Sequence, residues 1–214
     1  MKIQGVIFDL DGVLTATDKL HTKAWEYTCG QWEIPFSPDT GEMLRGVSRG
    51  ESVQIILNKA GCWLLEEEQE MFAHQKNEYY VHSLTQLSKK DVLPGVHQTI
   101  RRLKQENIQM AVASSSKNAR RILAQIQLEN EFPVIIEGTQ IRKSKPDPEV
   151  FQKAVEALHL SPEACLVVED AISGVEAARR LGCRTAGLGK EGKESLADYK
   201  IDRVDEILGL LGYT

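Results

Sequence analysis

A short apolar run, Ile3 to Phe8, ends abruptly in two carboxylates two residues apart, Asp9 and Asp11, and then a glycine, Gly12. No other feature restricts the fold so strongly. An uninterrupted apolar strand has to be covered on both faces, as in a parallel sheet flanked by helices. Acids at its carboxyl end fall where open parallel sheets bind their ligands. Two carboxylates this close are costly without a cation or a shared proton. Gly12 then permits a turn that other residues resist. A solvated turn or a calcium-loop fragment would be the bland explanation. An EF-hand loop, however, places its glycine at the sixth position, and here it is the fourth counted from Asp9.

The rest of the chain repeats the same grammar. Ile108 to Ala113, Val134 to Ile136, Cys165 to Val168 and Arg184 to Leu188 read as further buried strands. Helical stripes lie between them: Val96, Ile100 and Leu103; Val150, Phe151, Ala154, Val155 and Leu158; Ile172, Val175, Ala178 and Leu181. Asp147-Pro148 and Ser161-Pro162 look like caps with proline at the first helical position. The alternation predicts an α/β fold with a doubly wound, Rossmann-like parallel sheet. Residues 16–88 break the pattern, with no strand-like run and with Val53, Ile56, Leu57 and Ala60 at helical spacing. The expected organisation is therefore an α/β core, residues 1–15 and 89–214, carrying an inserted all-helical cap domain, residues 16–88.

Bulk properties exclude several classes. The formal charge is −5 and the pI about 5.6, which leaves no basic surface for nucleic acid or an anionic membrane. The densest charge run, Glu66-Glu67-Glu68, reads as a solvated helix start. No apolar stretch approaches the ~20 residues that cross a bilayer, and the N-terminal run ends in acids where a signal peptide would continue. Cys29, Cys62, Cys165 and Cys183 have no metal-ligand spacing. A cytoplasmic, monomeric protein is expected.

Three more strand ends carry chemistry. Ser114-Ser115-Ser116-Lys117-Asn118 follows the second strand, a hydroxyl-rich turn of a kind that suits phosphate. In Ser144-Lys145-Pro146, the proline biases Lys145 toward an extended backbone, from which its ammonium can reach inward. Glu169 and Asp170 end another buried strand, and their oxygens are the hard ligands that Mg2+ prefers. Singly, these are a cap, a loop lysine and a helix start.

Together and in this order, Asp9/Asp11, Ser114, Lys145 and Glu169/Asp170 resemble the four motifs of the haloacid dehalogenase superfamily of aspartate-nucleophile phosphotransferases. The resemblance spans the chain, and an insert just after the first motif matches its helical-cap subgroup. It implies that Asp9 is the nucleophile and Asp11 the acid/base. Ser114 and Lys145 would neutralise phosphoryl oxygens. Mg2+ would be held by Asp9, the Asp11 carbonyl, Asp170 and the vicinity of Glu169. Within the cap, Thr17, His21, Trp25, Gly46, Val47, Arg49, Ser52 and Lys76 resemble the phosphosugar-binding set of the superfamily's sugar-phosphate mutases, with Ser116, Lys117 and Asn118 as core partners.

In that likeness Arg49 grips the phosphate that is not transferred, and Lys76 and Trp25 face the sugar. The implied reaction interconverts β-D-glucose 1-phosphate and glucose 6-phosphate through β-glucose 1,6-bisphosphate. A hydrolase of a small sugar phosphate is the alternative, and a non-catalytic phosphosugar sensor a distant third. One departure stands out. Thr15-Ala16-Thr17 replaces the usual Thr-Asp-Thr, removing a carboxylate near the core-cap junction.

Overall fold

The computed structural model describes residues 2–44 and 47–213. The chain divides into two compact units, Met1–Ala16 with Ser88–Thr214, and Thr17–Leu87.

The first unit is an α/β sandwich. Its strands among the described residues are β1 (Gly5–Phe8), β2 (Gln109–Ala113), β3 (Val134–Ile136), β4 (Cys165–Glu169), β5 (Arg184–Leu188) and β6 (Tyr199–Ile201). They form one parallel sheet in the order β3-β2-β1-β4-β5-β6. All four residues of β1 are buried, so the strand is covered on both faces as its apolar run requires. Because β2 and β4 lie on opposite sides of β1, the strand order reverses there, and such a reversal opens a crevice at the carboxyl edge. Register aligns the chemistry along that edge. Phe8 sits opposite both Val112 and Val168, so Asp9, Ser114 and Glu169 all follow within two residues of one row.

The helical unit contains α1 (Asp18–Gln31), α2 (Pro38–Met43), α3 (Arg49–Ala60) and α4 (Glu66–Leu84). The α/β unit adds α5 (Val96–Gln105), α6 (Ala119–Gln125), α7 (Glu149–Ala157), α8 (Ile172–Leu181), α9 (Gly189–Glu194) and α10 (Glu206–Leu210). From α7 and α8, Phe151, Ala154, Ala177 and Ala178 pack with Ile7, Ala111 and Val167 of the sheet. The core of the helical unit gathers Trp25, Cys29, Ile56 and Phe72, with both Trp25 and Trp32 rings 5.5 Å from Phe72. No described helix is long and apolar enough to cross a membrane.

Local differences from expectation have plain causes. Ser161-Pro162 opens a single 3-10 turn, Pro162–Ala164, because β4 begins immediately after it. The N-cap position of α7 falls on Pro148 and not on Asp147, because the helix starts at Glu149; Asp147 Oδ1 still accepts from the Glu149 N–H at 3.0 Å. Ile172 is exposed, since the buried stripe of α8 begins at Gly174 and Val175.

Phe72 is fully buried between two tryptophans. Phe72→Ala is expected to cost about 3–5 kcal/mol, read by urea unfolding followed through tryptophan fluorescence.

Candidate active site

At the carboxyl edge of β1 the buried side chains of Asp9, Lys145 and Glu169 meet. Lys145 Nζ donates to Asp9 Oδ1 at 2.5 Å, to Glu169 Oε1 at 2.6 Å and to the Ala113 carbonyl at 3.4 Å. It also lies 4.8 Å over the Phe151 ring. Burial raises the Asp9 carboxyl well above the usual carboxylate range. Lys145 opposes that rise, while Glu169 and Asp11 add to it. Burial alone would lower the Lys145 ammonium, but Asp9 and then Glu169 reverse this and raise it. The lysine is thus permanently charged.

Two glycines make the convergence possible. Gly12 has φ +80°, and a Cβ there would come within 2.0 Å of Asp170 Oδ2. In α8, a Cβ on Gly174 would lie 1.8 Å from Glu169 Oε1. Bare backbone at both places lets Asp170 and Glu169 approach the end of β1.

These residues fit a hard divalent cation. Asp9, Glu169 and Asp170 can each offer an oxygen with all three atoms within 4.8 Å of one another. The Lys145 ammonium cannot by itself balance Asp9, Asp11, Glu169 and Asp170. Glu169 is already committed, with Oε1 accepting from Lys145 and Oε2 from the Ala171 N–H at 2.9 Å. With both of its oxygens engaged, Glu169 is the weakest of the three as a direct ligand. The half-buried carboxylate of Asp11 lies outside that cluster.

In the turn after β2, Ser114 is buried and accepts from the Ser116 N–H at 3.1 Å; Ser116 Oγ accepts from the Asn118 N–H at 3.2 Å. The hydroxyls thus shape the turn. Ser115 lies in the same hydroxyl-rich turn, and its buried Oγ has no hydrogen-bond partner among the described residues. A buried orphan hydroxyl is costly, and only its surroundings, not its spacing, could have marked it. Lys117 is exposed, on the solvent side of the turn.

The helical unit holds a second cluster. Lys76 is buried on α4, its Nζ 2.8 Å from His21 Nδ1 and lying over the rings of Trp25 at 5.0 Å and Tyr80 at 4.7 Å. Arg49, at the start of α3, donates to Asn77 Oδ1 at 2.7 Å. Its helix is capped by Ser48 and Glu51, and buried Ser52 donates to the Ser48 carbonyl at 2.9 Å. Burial, then Lys76, then Arg49 hold the His21 imidazole well below its ordinary value, so it is neutral near pH 7. Thr17 is buried and accepts from the Tyr80 hydroxyl at 3.2 Å. Val47 is half-buried, with its N–H on the Leu44 carbonyl, and Gly46 lies outside the described residues. Asn77, next to Lys76 in the cap sequence, joins this cluster through Arg49, and Tyr80 joins it too; Tyr80 follows Lys76 by one helical turn, the one sequence signal for it.

The family model for haloacid dehalogenase-like hydrolases matches residues 6–188. The chain is 39% identical to the β-phosphoglucomutase of Bacillus subtilis, over 88% of this chain and 84% of that one. It is 31% identical to a phosphorylated-carbohydrates phosphatase of Thermotoga maritima, covering 84% and 82% respectively. The crystal structure of β-phosphoglucomutase from Clostridium difficile superposes with TM-score 0.90 at 31% identity, covering 96% of this chain and 93% of that one.

Gly12→Ala should force Asp170 away from Asp9. We expect the rate of Asp9 phosphorylation by acetyl phosphate to fall by about 100-fold, measured by intact-protein mass spectrometry after rapid quench.

Proposed function

Starting from the fact that this chain is an enzyme of the haloacid dehalogenase-like hydrolase family, we propose that it is a β-phosphoglucomutase. It would interconvert β-D-glucose 1-phosphate and glucose 6-phosphate through β-glucose 1,6-bisphosphate, as a monomer in the cytoplasm. A reducing compartment suits Cys29, Cys165 and Cys183, free thiols that burial pushes up to about 12, 11 and 12.

In the proposed reaction Asp9 carries the phosphoryl group. The C6 hydroxyl of β-glucose 1-phosphate attacks phosphorus, the bond to Asp9 breaks, and Asp11 takes the hydroxyl proton. The resulting bisphosphate then presents its C1 phosphate. Asp9 attacks that phosphorus, the bond to the C1 oxygen breaks, and Asp11 returns the proton to the departing glucose 6-phosphate. Lys145 and the Ser114–Ser115 turn balance charge on the equatorial oxygens, and the orphan Ser115 hydroxyl has a donor to give. Mg2+, held by Asp9 and Asp170, would neutralise the carboxylate and phosphoryl charges as they approach.

The observation that carries the mutase reading is the cationic set of the helical unit, Arg49 and Lys76 about neutral His21. Hydrolysis of a monophosphate needs cations only at the reacting phosphorus, where Lys145 stands. A bisphosphate needs a second anion-binding set, and arginine suits it through paired hydrogen bonds. Similarity to the B. subtilis mutase supports this reading, and similarity to the T. maritima phosphatase supports the hydrolase alternative.

With Mg2+ and a trace of bisphosphate, β-glucose 1-phosphate should yield glucose 6-phosphate, and the α-anomer should not. Faster release of inorganic phosphate than of glucose 6-phosphate would assign hydrolysis. Arg49→Ala should lower mutase turnover about 10- to 100-fold, the worth of charge-assisted hydrogen bonds of about 1.5–3 kcal/mol. Its hydrolysis of acetyl phosphate, which has no second phosphate to grip, should be essentially unchanged.

A further inference from the structure

Lys145 reaches Asp9 from a segment with no helix or strand of its own, residues 137–148 between β3 and α7. A lysine on a loose loop cannot hold its ammonium to a few tenths of an ångström, and charge stabilisation in a water-poor site depends on such placement. Something must fix the loop backbone. Arg180 of α8 donates to the Pro146 carbonyl at 3.0 Å, just after Lys145. Just before it, the Arg142 and Lys143 N–H groups both donate to Glu149 Oε2 at 2.9 Å. Oε1 of the same carboxylate faces Lys153 at 3.8 Å. The two backbone bonds, Lys143 first, hold the Glu149 carboxyl below its ordinary range, so it stays charged near pH 7.

We infer that Glu149 is a positioning residue for Lys145, folding the loop back on the first turn of α7 so that the ammonium bridges Asp9 and Glu169. The inference rests on the family's use of Asp9 as nucleophile and not on the choice between mutase and phosphatase. A different role is available to any first-turn acid, namely favourable interaction with the helix dipole. The two roles separate by reach. Asp keeps the charge at the N-terminus of α7 but shortens the arm that spans to both amides. Gln keeps the length and an acceptor oxygen but loses the charge.

The test is Asp9 phosphorylation by acetyl phosphate, a readout common to mutase and phosphatase, so an error over substrate leaves it intact. Glu149→Ala should lower the maximal rate about 10- to 100-fold, with the acetyl phosphate KM and the melting temperature near wild type. Glu149→Gln should restore most of the rate and Glu149→Asp little of it. In a Lys145→Ala background, Glu149→Ala should cause no further loss, because the group it positions has gone. Rescue by Asp and not Gln, or an equal loss with and without Lys145, would overturn the proposal. So would a fall in melting temperature in proportion to rate. Where Lys145→Ala is too slow to follow, the Gln and Asp pattern decides alone.

Discussion

The buried ammonium of Lys145, held between Asp9 and Glu169, is the interaction on which the rest of the site depends. Such a charge survives away from water only when its donors are met, and here two carboxylates and the Ala113 carbonyl meet them. A buried ion pair is a poor source of stability, since desolvation offsets most of the attraction. Its position therefore speaks for chemistry. The lysine opposes the rise that burial imposes on Asp9, and the remaining acids leave a site whose charge a divalent cation would offset.

Sheet topology delivers that arrangement. The strand-order reversal at β1 puts the ends of β1, β2 and β4 on one crevice, and the shared register brings Asp9, Ser114 and Glu169 level. Gly12 and Gly174 then remove the two Cβ atoms that would keep Asp170 and Glu169 out. The glycines act through close approach, so their importance follows from which carboxylate lies against them.

The α/β fold and the family were legible because buried parallel strands are continuous apolar runs and their ends carry the acids, hydroxyls and lysine. The sixth strand was not. Tyr199–Ile201 is three residues long, lies at the sheet edge and exposes Lys200, so it has neither run nor alternation to detect. The Ser115 hydroxyl, the Glu149 clamp and the Arg49–Asn77 bond share a different cause. Each depends on which groups meet across loops or helices, and spacing along one segment does not encode that. Ile172 shows the converse, a residue in register with an apolar stripe that packing leaves exposed.

The cluster in the helical unit poses the sharper physical question of why two cations, Arg49 and Lys76, stand around one imidazole. Burial first, then Lys76 and Arg49, hold His21 neutral, so the imidazole adds no third charge and Nδ1 can accept a hydrogen bond from the Lys76 ammonium. Two aromatic faces, Trp25 and Tyr80, stabilise the Lys76 ammonium through their rings. Asn77 likewise orients the Arg49 guanidinium through a neutral amide oxygen. Lys145, by contrast, is bridged by the carboxylates of Asp9 and Glu169, so these two buried lysines sit in chemically different surroundings.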